Sequence, residues 1–536
     1  MSTSHPDGDD RNAGGDEDGR DRDDGADAWL LGVDAGLTSI KAALVAPDGE
    51  ERAVAAAETP KTSPRPDHHE VDPETLWSTV AETIGRAIDE APVHAGAIAA
   101  VGVAGHGHGL YALDADGEPA GPGIRSTDGR ARELLAAWRA DGTADRVQDR
   151  LGYAPFGADP LSLLAWLRAN EPARYDRIDT VLFCKDYLTY RLTDRRSTDE
   201  MESSVFTDPR SGEYATDLLD ELGLGAVADA LPPVDRSWEP CGTVTESAAA
   251  ATGLPADTPV ATGLHDVGAV ALGTGAHTPG DGVLIVGTWG QSIVIDDGPS
   301  DSDDRTTSTY GIARAFLDGK RLRYEGNRSA AASLEWFVES VGEPWREAAA
   351  ERGLDEYAMY DRLVSSVPPG AGGVVFQPYL HGSTADPNAT GGFYGLTADH
   401  DADHLLRAVY EGVAIAGIEQ LSRVAPAGGV GDLRLSGGGA RSDAWARIFA
   451  GVADRPVVVP GTEEAGITGA AICAALAAGC HPDHATAVDA MVPAGTRYDP
   501  DPEAADVYRR RRRTFRRLRE ALAPVWDATA APDDGE

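Results

Sequence analysis

Residues 32–41 read G-V-D-A-G-L-T-S-I-K. Leu30, Leu31 and Val33 on one side and Ile40, Ala42 and Leu44 on the other are apolar runs, and Gly36 lets the backbone reverse between them. The segment predicts strand, tight turn, strand. The first strand carries Asp34 to its end. The N–H groups of the turn, with the Thr38 and Ser39 hydroxyls, face one spot. Such donors bind phosphate oxygens, and a carboxylate beside them can hold hydrated Mg2+. An ordinary hairpin with Asp34 as turn former gives the same local pattern. Lys41 follows, one of four lysines in a chain with 43 arginines. A compact ammonium stands where a rigid guanidinium fork was available, although it is equally one of four survivors.

Working outward, a second glycine-punctuated turn, Gly287, Thr288, Trp289 and Gly290, joins strands expected at 282–286 and 292–295. One nucleotide between two such hairpins would be gripped from both sides. Helical patterns at 73–91, 130–140 and 161–169 alternate with apolar strands at 98–103 and 180–183, which favours an α/β architecture. The pattern restarts after Pro259, so the two halves read as a duplication. The sequence contains no P-loop and no G-x-G-x-x-G, which removes the main support for the P-loop and dinucleotide classes.

Asp266 follows a short strand and opens a small-residue helix, where the dipole and free N–H groups stabilise an anion. The same position suits a simple N-cap. Near the carboxyl end a strand at 433–436, the triple glycine Gly437, Gly438 and Gly439, and a helix from Ser442 form a turn whose backbone can approach a nucleotide closely. Gly466 and Gly469 could extend that wall. A last helix is expected over 506–522. Its arginines suit either an anion or partner site, or a solvated face packing through Val507, Phe515, Leu518 and Leu522.

Composition bounds the partners. Asp and Glu total 88 against 47 Lys and Arg, the formal net charge is -41, and 42% of residues are hydrophobic. That apolar content supports real cores in a chain long enough for two or more domains. Segment 1–27 carries ten Asp or Glu and almost no bulky apolar residue, and is expected to be a disordered tail. No basic surface exists to release phosphate counterions, so nucleic-acid and anionic-membrane partners are disfavoured. Self-repulsion at this charge is tolerable in roughly molar salt, where the Debye length is about 3 Å. The composition is similar to that of cytoplasmic proteins from salt-accumulating halophiles. Four cysteines without a C-x-x-C pair, no long apolar run and no signal-like amino terminus all predict a cytoplasmic location.

Several stretches together resemble the FGGY family of carbohydrate kinases, from about residue 29 to 525. They are D-A-G-L-T-S-I-K at Asp34, K-D-Y-L-T-Y-R-L-T at Lys185, G-L-H-D at Gly263, G-T-W-G at Gly287 and S-G-G-G-A-R-S at Ser436. The most specific is G-G-F-Y-G-L at Gly391, followed seven residues later by H-L-L-R-A-V-Y-E. The resemblance implies two RNase H-like, actin-like ATPase domains with a nucleotide cleft between them, at 28–264 (sugar-binding, first phosphate hairpin) and 265–525 (ATP-binding), with a tail at 526–536. It implies ATP and Mg2+ as cofactors and a small-molecule sugar as partner; a homodimer stays open. Asp266 matches the general base and Asp34 the Mg2+ carboxylate. Gly36, Thr38, Ser39, Gly287, Thr288 and Trp289, with Lys41 adjoining, match the phosphate turns. Gly437, Gly438, Gly439, Ser442, Gly466 and Gly469 match the adenosine side.

On the sugar side the family pattern points to Glu70, His106, His108 and Asp128, with Ser126 standing where the pattern has Trp. His106 and His108 also suggest a metal pair, but alternate residues of a strand face opposite ways. G-I-R-S-T-D-G-R-A, the run from Ala158 to Pro172 and L-E-W-F at Leu334 look like the L-xylulose kinase branch, although Leu163 replaces a usual Lys. The implied reaction is phosphorylation of a ketopentose hydroxyl, L-xylulose or D-xylulose. Ribulose, gluconate and glycerol remain alternatives, as does an actin-like ATPase switch without sugar chemistry.

Overall fold

The computed structural model describes residues 28–297, 312–327, 329–384, 386, 388–426 and 429–530. The expected disordered tail at 1–27 and the last six residues lie outside the described residues.

In the first half, β1 (Trp29–Ala35), β2 (Ser39–Val45) and β3 (Glu51–Glu58) form an antiparallel meander, and β4 (Ile98–Gly105) pairs with β1 in parallel. With β5 (Pro240–Thr243), β6 (Pro259–Ala261) and β7 (Leu264–His265) they make a seven-stranded sheet in the order β5-β6-β4-β1-β2-β3, β7 pairing with β4. The second half repeats the plan. There β8 (Gly282–Val286), β9 (Gly290–Asp296), β10 (Ile312–Phe316) and β11 (Lys320–Asn327) are antiparallel neighbours, while β12 (Leu433–Ser436) runs parallel to β8 and β13 (Val457–Val459) parallel to β12. The order is β10-β11-β9-β8-β12-β13, closed by β14 (Thr496–Tyr498). Each glycine hairpin has a meander strand on one side and a parallel strand on the other, so the expected duplication is visible as shared topology.

Helices cover the sheets for local reasons. Helix α1 (Pro73–Glu90) starts where the Asp72 side chain accepts from the Thr75 N–H, and it buries Leu76, Val80, Ile84 and Ala87 at helical spacing. The first half also holds α2 (Cys184–Thr193) and the second half α3 (Asp266–Gly273), α4 (Ala402–Val424), α5 (Asp443–Ala453), α6 (Ala465–Ala477) and α7 (Pro502–Ala530).

Helix α6 ties the halves together. Gly32 and Gly102 lie opposite each other on β1 and β4. A Cβ there would fall 2.6 Å from the Ile467 carbonyl oxygen and 1.9 Å from that of Ala470. Two glycines in register therefore let the backbone of α6 lie directly on the first sheet. On its other side α6 crosses α3, where added Cβ atoms on Gly273 and Gly469 would each come within 1.9 Å of a carbonyl of the opposing helix. Around this crossing, Leu30, Ala43 and Ala100 share one core with Val283, Ile293 and Ile467.

The carboxyl end departs from expectation. Helix α7 runs through to Ala530, because Trp526 is buried against Tyr379, ring centroids 5.7 Å apart. Residues 526–530 therefore belong to a packed helix, not to a tail. The arginines of α7 face carboxylates and carbonyls of the second half: Arg512 and Arg516 both bond Glu419, at 2.9 and 3.0 Å, and Arg511 donates to the Gly370 and Gly373 carbonyls. This is the packing role, with Phe515 fully buried. Among the described residues no helix is long and apolar enough to cross a membrane.

Candidate active site

The β1–β2 turn is closed by its own backbone. Gly36 N–H donates to the Ser39 carbonyl at 3.0 Å, and the Thr59 hydroxyl donates to the Gly36 carbonyl at 2.8 Å. Thr38 stays exposed and Ser39 partly so. In the β8–β9 turn Thr288 and Trp289 are exposed in the same way.

Asp34 stands beside the first turn. Its Oδ1 is buried and without a hydrogen-bond partner among the described residues. Its Oδ2 is packed on Gly466, where a Cβ would fall only 2.2 Å away. Burial and then the charge of Asp266 push Asp34 up to about 7, with Lys41 pulling the other way. A buried carboxylate oxygen without a donor is costly unless a cation compensates it, so the site fits a hydrated Mg2+. A single carboxylate suffices, because Mg2+ commonly takes its remaining ligands from water and phosphate. Lys41 Nζ sits 2.6 Å from Glu464, the residue that leads into α6.

Asp266 opens α3. Its Oδ1 accepts from the Val267 N–H at 2.7 Å and lies 2.8 Å from His265 Nδ1. Burial alone would raise its pKa. The His265 imidazole, His106 and the Val267 N–H outweigh burial and hold it below the usual carboxylate range, so the group is an anion at neutral pH. Its side chain keeps 32% of its surface. His265 itself is buried, its ring lying where a Cβ on Gly107 would come within 1.7 Å of Nε2. Burial opposes charge on His265, yet Glu202 and Asp266 push its pKa up. Beneath lies Lys185, fully buried and ion-paired with Asp186 and, at 3.1 Å, with Asp199. Burial lifts neighbouring Glu202 to about 8.

Two histidines line the loop after β4. His106 Nε2 is 2.9 Å from the Tyr111 hydroxyl, and burial drives its pKa down to about 4, so it stays neutral. His108 adopts a left-handed backbone, φ +59°, a strained conformation that favours functional positions. Its Nε2 lies 3.1 Å from the Tyr324 hydroxyl of β11, and its Nδ1 is buried without a partner among the described residues.

Asp128 and Glu70 share one arginine. Asp128 Oδ1 accepts from Arg130 Nε at 2.9 Å, its Oδ2 accepts from the His69 N–H at 2.7 Å, and Glu70 takes Arg130 at 2.7 Å. The Asp128 side chain has no exposed surface. Arg130, equally buried, engages both acids, and Glu70 keeps an exposed edge of 14%.

The residues expected on the adenosine side divide. Gly438 has nothing within 4 Å of an added Cβ, so a ligand can approach it. Gly437, at φ +87°, and Gly439 instead pack on Val286. The Ser442 hydroxyl caps α5 by accepting from Trp445 N–H at 3.0 Å and donates to Asp361 at 2.6 Å. Gly466 faces Asp34, and Gly469 lies in the helix crossing with its added Cβ 1.9 Å from the Ala269 carbonyl. Neither forms an adenosine wall, because helix α6 lies flat on the sheet there. Sequence reasoning also missed His265, Glu202, Arg314, Tyr324 and Glu464. His265 stands inside G-L-H-D and could have been singled out; Arg314 and Tyr324 lie in strands, Glu202 in a one-turn helix and Glu464 at a helix start, none within a signature.

With this geometry, comparison with known proteins is direct. The N-terminal domain of the FGGY family of carbohydrate kinases matches residues 29–273, and the C-terminal domain of that family matches residues 282–478. The chain is 34% identical to an L-xylulose/3-keto-L-gulonate kinase of Escherichia coli K12, over 92% of this chain and 97% of the relative. It is 31% identical to a probable L-xylulose kinase of Haemophilus influenzae, over 83% and 90%. The crystal structure of xylulose kinase from Rhodospirillum rubrum superposes with a TM-score of 0.83 at 30% identity, covering 93% of this chain and all of that one.

Proposed function

The chain belongs to the FGGY family of carbohydrate kinases, and on that premise we propose that it transfers the γ-phosphate of ATP to a hydroxyl of a ketopentose, with Asp266 as the base. L-xylulose and D-xylulose are the favoured substrates, in line with the relatives' names. The observation that carries the assignment is Asp266 itself: a partly exposed carboxylate at a helix N-terminus, kept ionised by His265 2.8 Å away, with Asp34 and a phosphate-type turn close by.

The chemistry follows from what each group can do. Phosphoryl transfer needs positioning and charge neutralisation more than covalent help. Asp266 accepts the proton of the attacking hydroxyl, and His265 and the Val267 N–H orient its carboxylate. The Thr38 and Ser39 hydroxyls of the Gly36 turn and the exposed Thr288 and Trp289 of the Gly287 turn hold the phosphates from the two halves. Gly438 gives the adenosine side a surface free of side chain. Asp34 would hold Mg2+, which when bound neutralises phosphate charge. Residues 28–264 and 265–525 act as the two lobes, joined where α6 rests on Gly32 and Gly102 of the first sheet, and the working site is cytoplasmic.

Asp266→Asn keeps the shape and the Val267 hydrogen bond but removes the base. It should lower kcat by about 10² to 10⁴, roughly 3 to 5 kcal/mol of transition-state stabilisation, while ATP still binds. The assay is ADP release with ATP-Mg2+ in molar KCl against L-xylulose, D-xylulose, L-ribulose, D-ribulose, D-gluconate and glycerol. One pentulose that stimulates the wild type and not the variant supports the assignment; wild-type turnover in the variant overturns it. ATP consumption independent of any sugar would point instead to a switch ATPase.

A further inference from the structure

Arg314 on β10 lies opposite Leu322 of β11, which puts it diagonal to Tyr324 on the same face of the second sheet. Arg314 is buried, its guanidinium lies 4.4 Å from the centroid of the Tyr153 ring, and it donates to the Tyr153 and Tyr324 hydroxyls. A guanidinium carries N–H donors and no acceptor. Each hydroxyl it meets is therefore the acceptor in that bond and sends its own proton elsewhere. The Tyr153 hydroxyl donates to the Val205 carbonyl at 3.1 Å. The acceptor that the Tyr324 hydroxyl meets is His108 Nε2, also at 3.1 Å.

The direction of this chain fixes the state of His108. Burial, and then the Arg314 charge, hold its pKa well below that of a free imidazole, so the ring is neutral and has one N–H and one bare nitrogen. Nε2, accepting from Tyr324, is the bare one, and the proton sits on Nδ1. That Nδ1 is buried without a partner among the described residues, and Phe156 holds the ring edge-to-face, centroids 4.7 Å apart. A buried donor left without an acceptor is costly, so it calls for one that the described residues do not supply. The ring centroid lies 5.7 Å from that of His265, whose Nε2 is a second buried atom without a partner there and whose Nδ1 meets Asp266. The orphan donor thus stands in the neighbourhood of the base. Arg314 and Tyr324 come from the second half and His108 from the first, so the chain is complete only when the halves are together.

Resting on the kinase reading, which already puts His108 on the sugar side, we propose that Arg314 and Tyr324 are positioning residues that hold His108 in its Nδ1–H form, so that the ring meets the sugar as a hydrogen-bond donor to a carbonyl or hydroxyl oxygen. The second half thereby sets a sugar contact carried by the first. Neither Arg314 nor Tyr324 touches a reacting atom; both act through His108.

The test reads the tautomer and the turnover. Nitrogen-15 NMR of histidine-labelled protein, at neutral pH in molar KCl, separates a protonated ring nitrogen from a bare one, and His108→Gln assigns the signal. The wild type should show Nδ1–H with bare Nε2, and L-xylulose or D-xylulose added without ATP should shift the Nδ1 resonance. Tyr324→Phe keeps the ring but leaves nothing to donate to Nε2. It should bring in the Nε2–H form and lower kcat/KM for the pentulose by about 10- to 100-fold, with the KM for ATP within about twofold of wild type. Arg314→Lys, again a donor only, should keep the Nδ1–H form, whereas Arg314→Gln, whose amide accepts as well as donates, should give both forms. A wild type in the Nε2–H form, a tautomer unchanged in Tyr324→Phe, or full kcat/KM in that variant overturns the inference. If no sugar is phosphorylated the kinase reading fails, and the spectrum decides alone. An Nδ1 signal that a pentulose moves sustains the contact, and one that no pentulose moves refutes it.

Discussion

Gly466→Ala should slow phosphoryl transfer without unfolding the chain. An added Cβ would sit 2.2 Å from Asp34 Oδ2, whereas ordinary contact begins at 3.4 Å, so something must retreat by about 1 Å. Helix α6 cannot easily do so, since its backbone rests on Gly32 and Gly102 and is wedged against α3. The Asp34 carboxylate must swing instead. A displacement of about 1 Å in a catalytic group can cost about 10² in rate, and overpacking of a tight site costs about 1 to 3 kcal/mol. The expected result is therefore a kcat lower by about 100-fold, a raised Mg2+ concentration for half-maximal rate and a thermal midpoint a few degrees lower. Gly438→Ala is the control. Nothing lies within 4 Å of its Cβ, so its midpoint should not move, while its KM for ATP rises if the nucleotide approaches there. A Gly466→Ala enzyme within about threefold of wild-type kcat at unchanged Mg2+ dependence would refute the link between that glycine and the placement of Asp34.

Charge and pH give two further expectations. At a net charge of -41 the compact state repels itself, and molar KCl should raise the thermal midpoint relative to dilute buffer; equal midpoints would remove the halophile reading. Glu202 is lifted by burial from 4.5 to about 8, with His265 and Lys185 opposing. Because the folded state favours its protonated form, its contribution is fully present below about pH 4.5 and is lost as pH rises through 8. The midpoint of Glu202→Gln relative to wild type should accordingly climb between pH 6 and 9, and a constant or shrinking difference would contradict the burial argument.

Much of the site was legible because it is local. The hairpin at Gly36, the turn at Gly287 and the carboxylate that opens a small-residue helix at Asp266 are each set by a few neighbouring residues, and the structure forms all three. The strand bounds were nearly right for the same reason: apolar alternation and glycine punctuation act within one segment. What a side chain faces was not legible in the same way. Lys41 was read beside phosphate and is bound to Glu464, 423 residues away. Asp128 was read as a sugar contact and is enclosed with Arg130 and Glu70.

The chain by itself therefore determined its two α/β halves, its acid charge, the two glycine turns and the carboxylate that opens α3. Only the tertiary structure decided which glycines stand open and which pack on a helix, which arginines of α7 are paired, and that Arg314 is buried over the Tyr153 ring. The reason is physical. Backbone propensity and turn chemistry depend on residues a few positions apart, whereas burial and ion pairing are set by partners that the chain brings together from far away, as with His108 and Tyr324, 216 residues apart and joined at 3.1 Å.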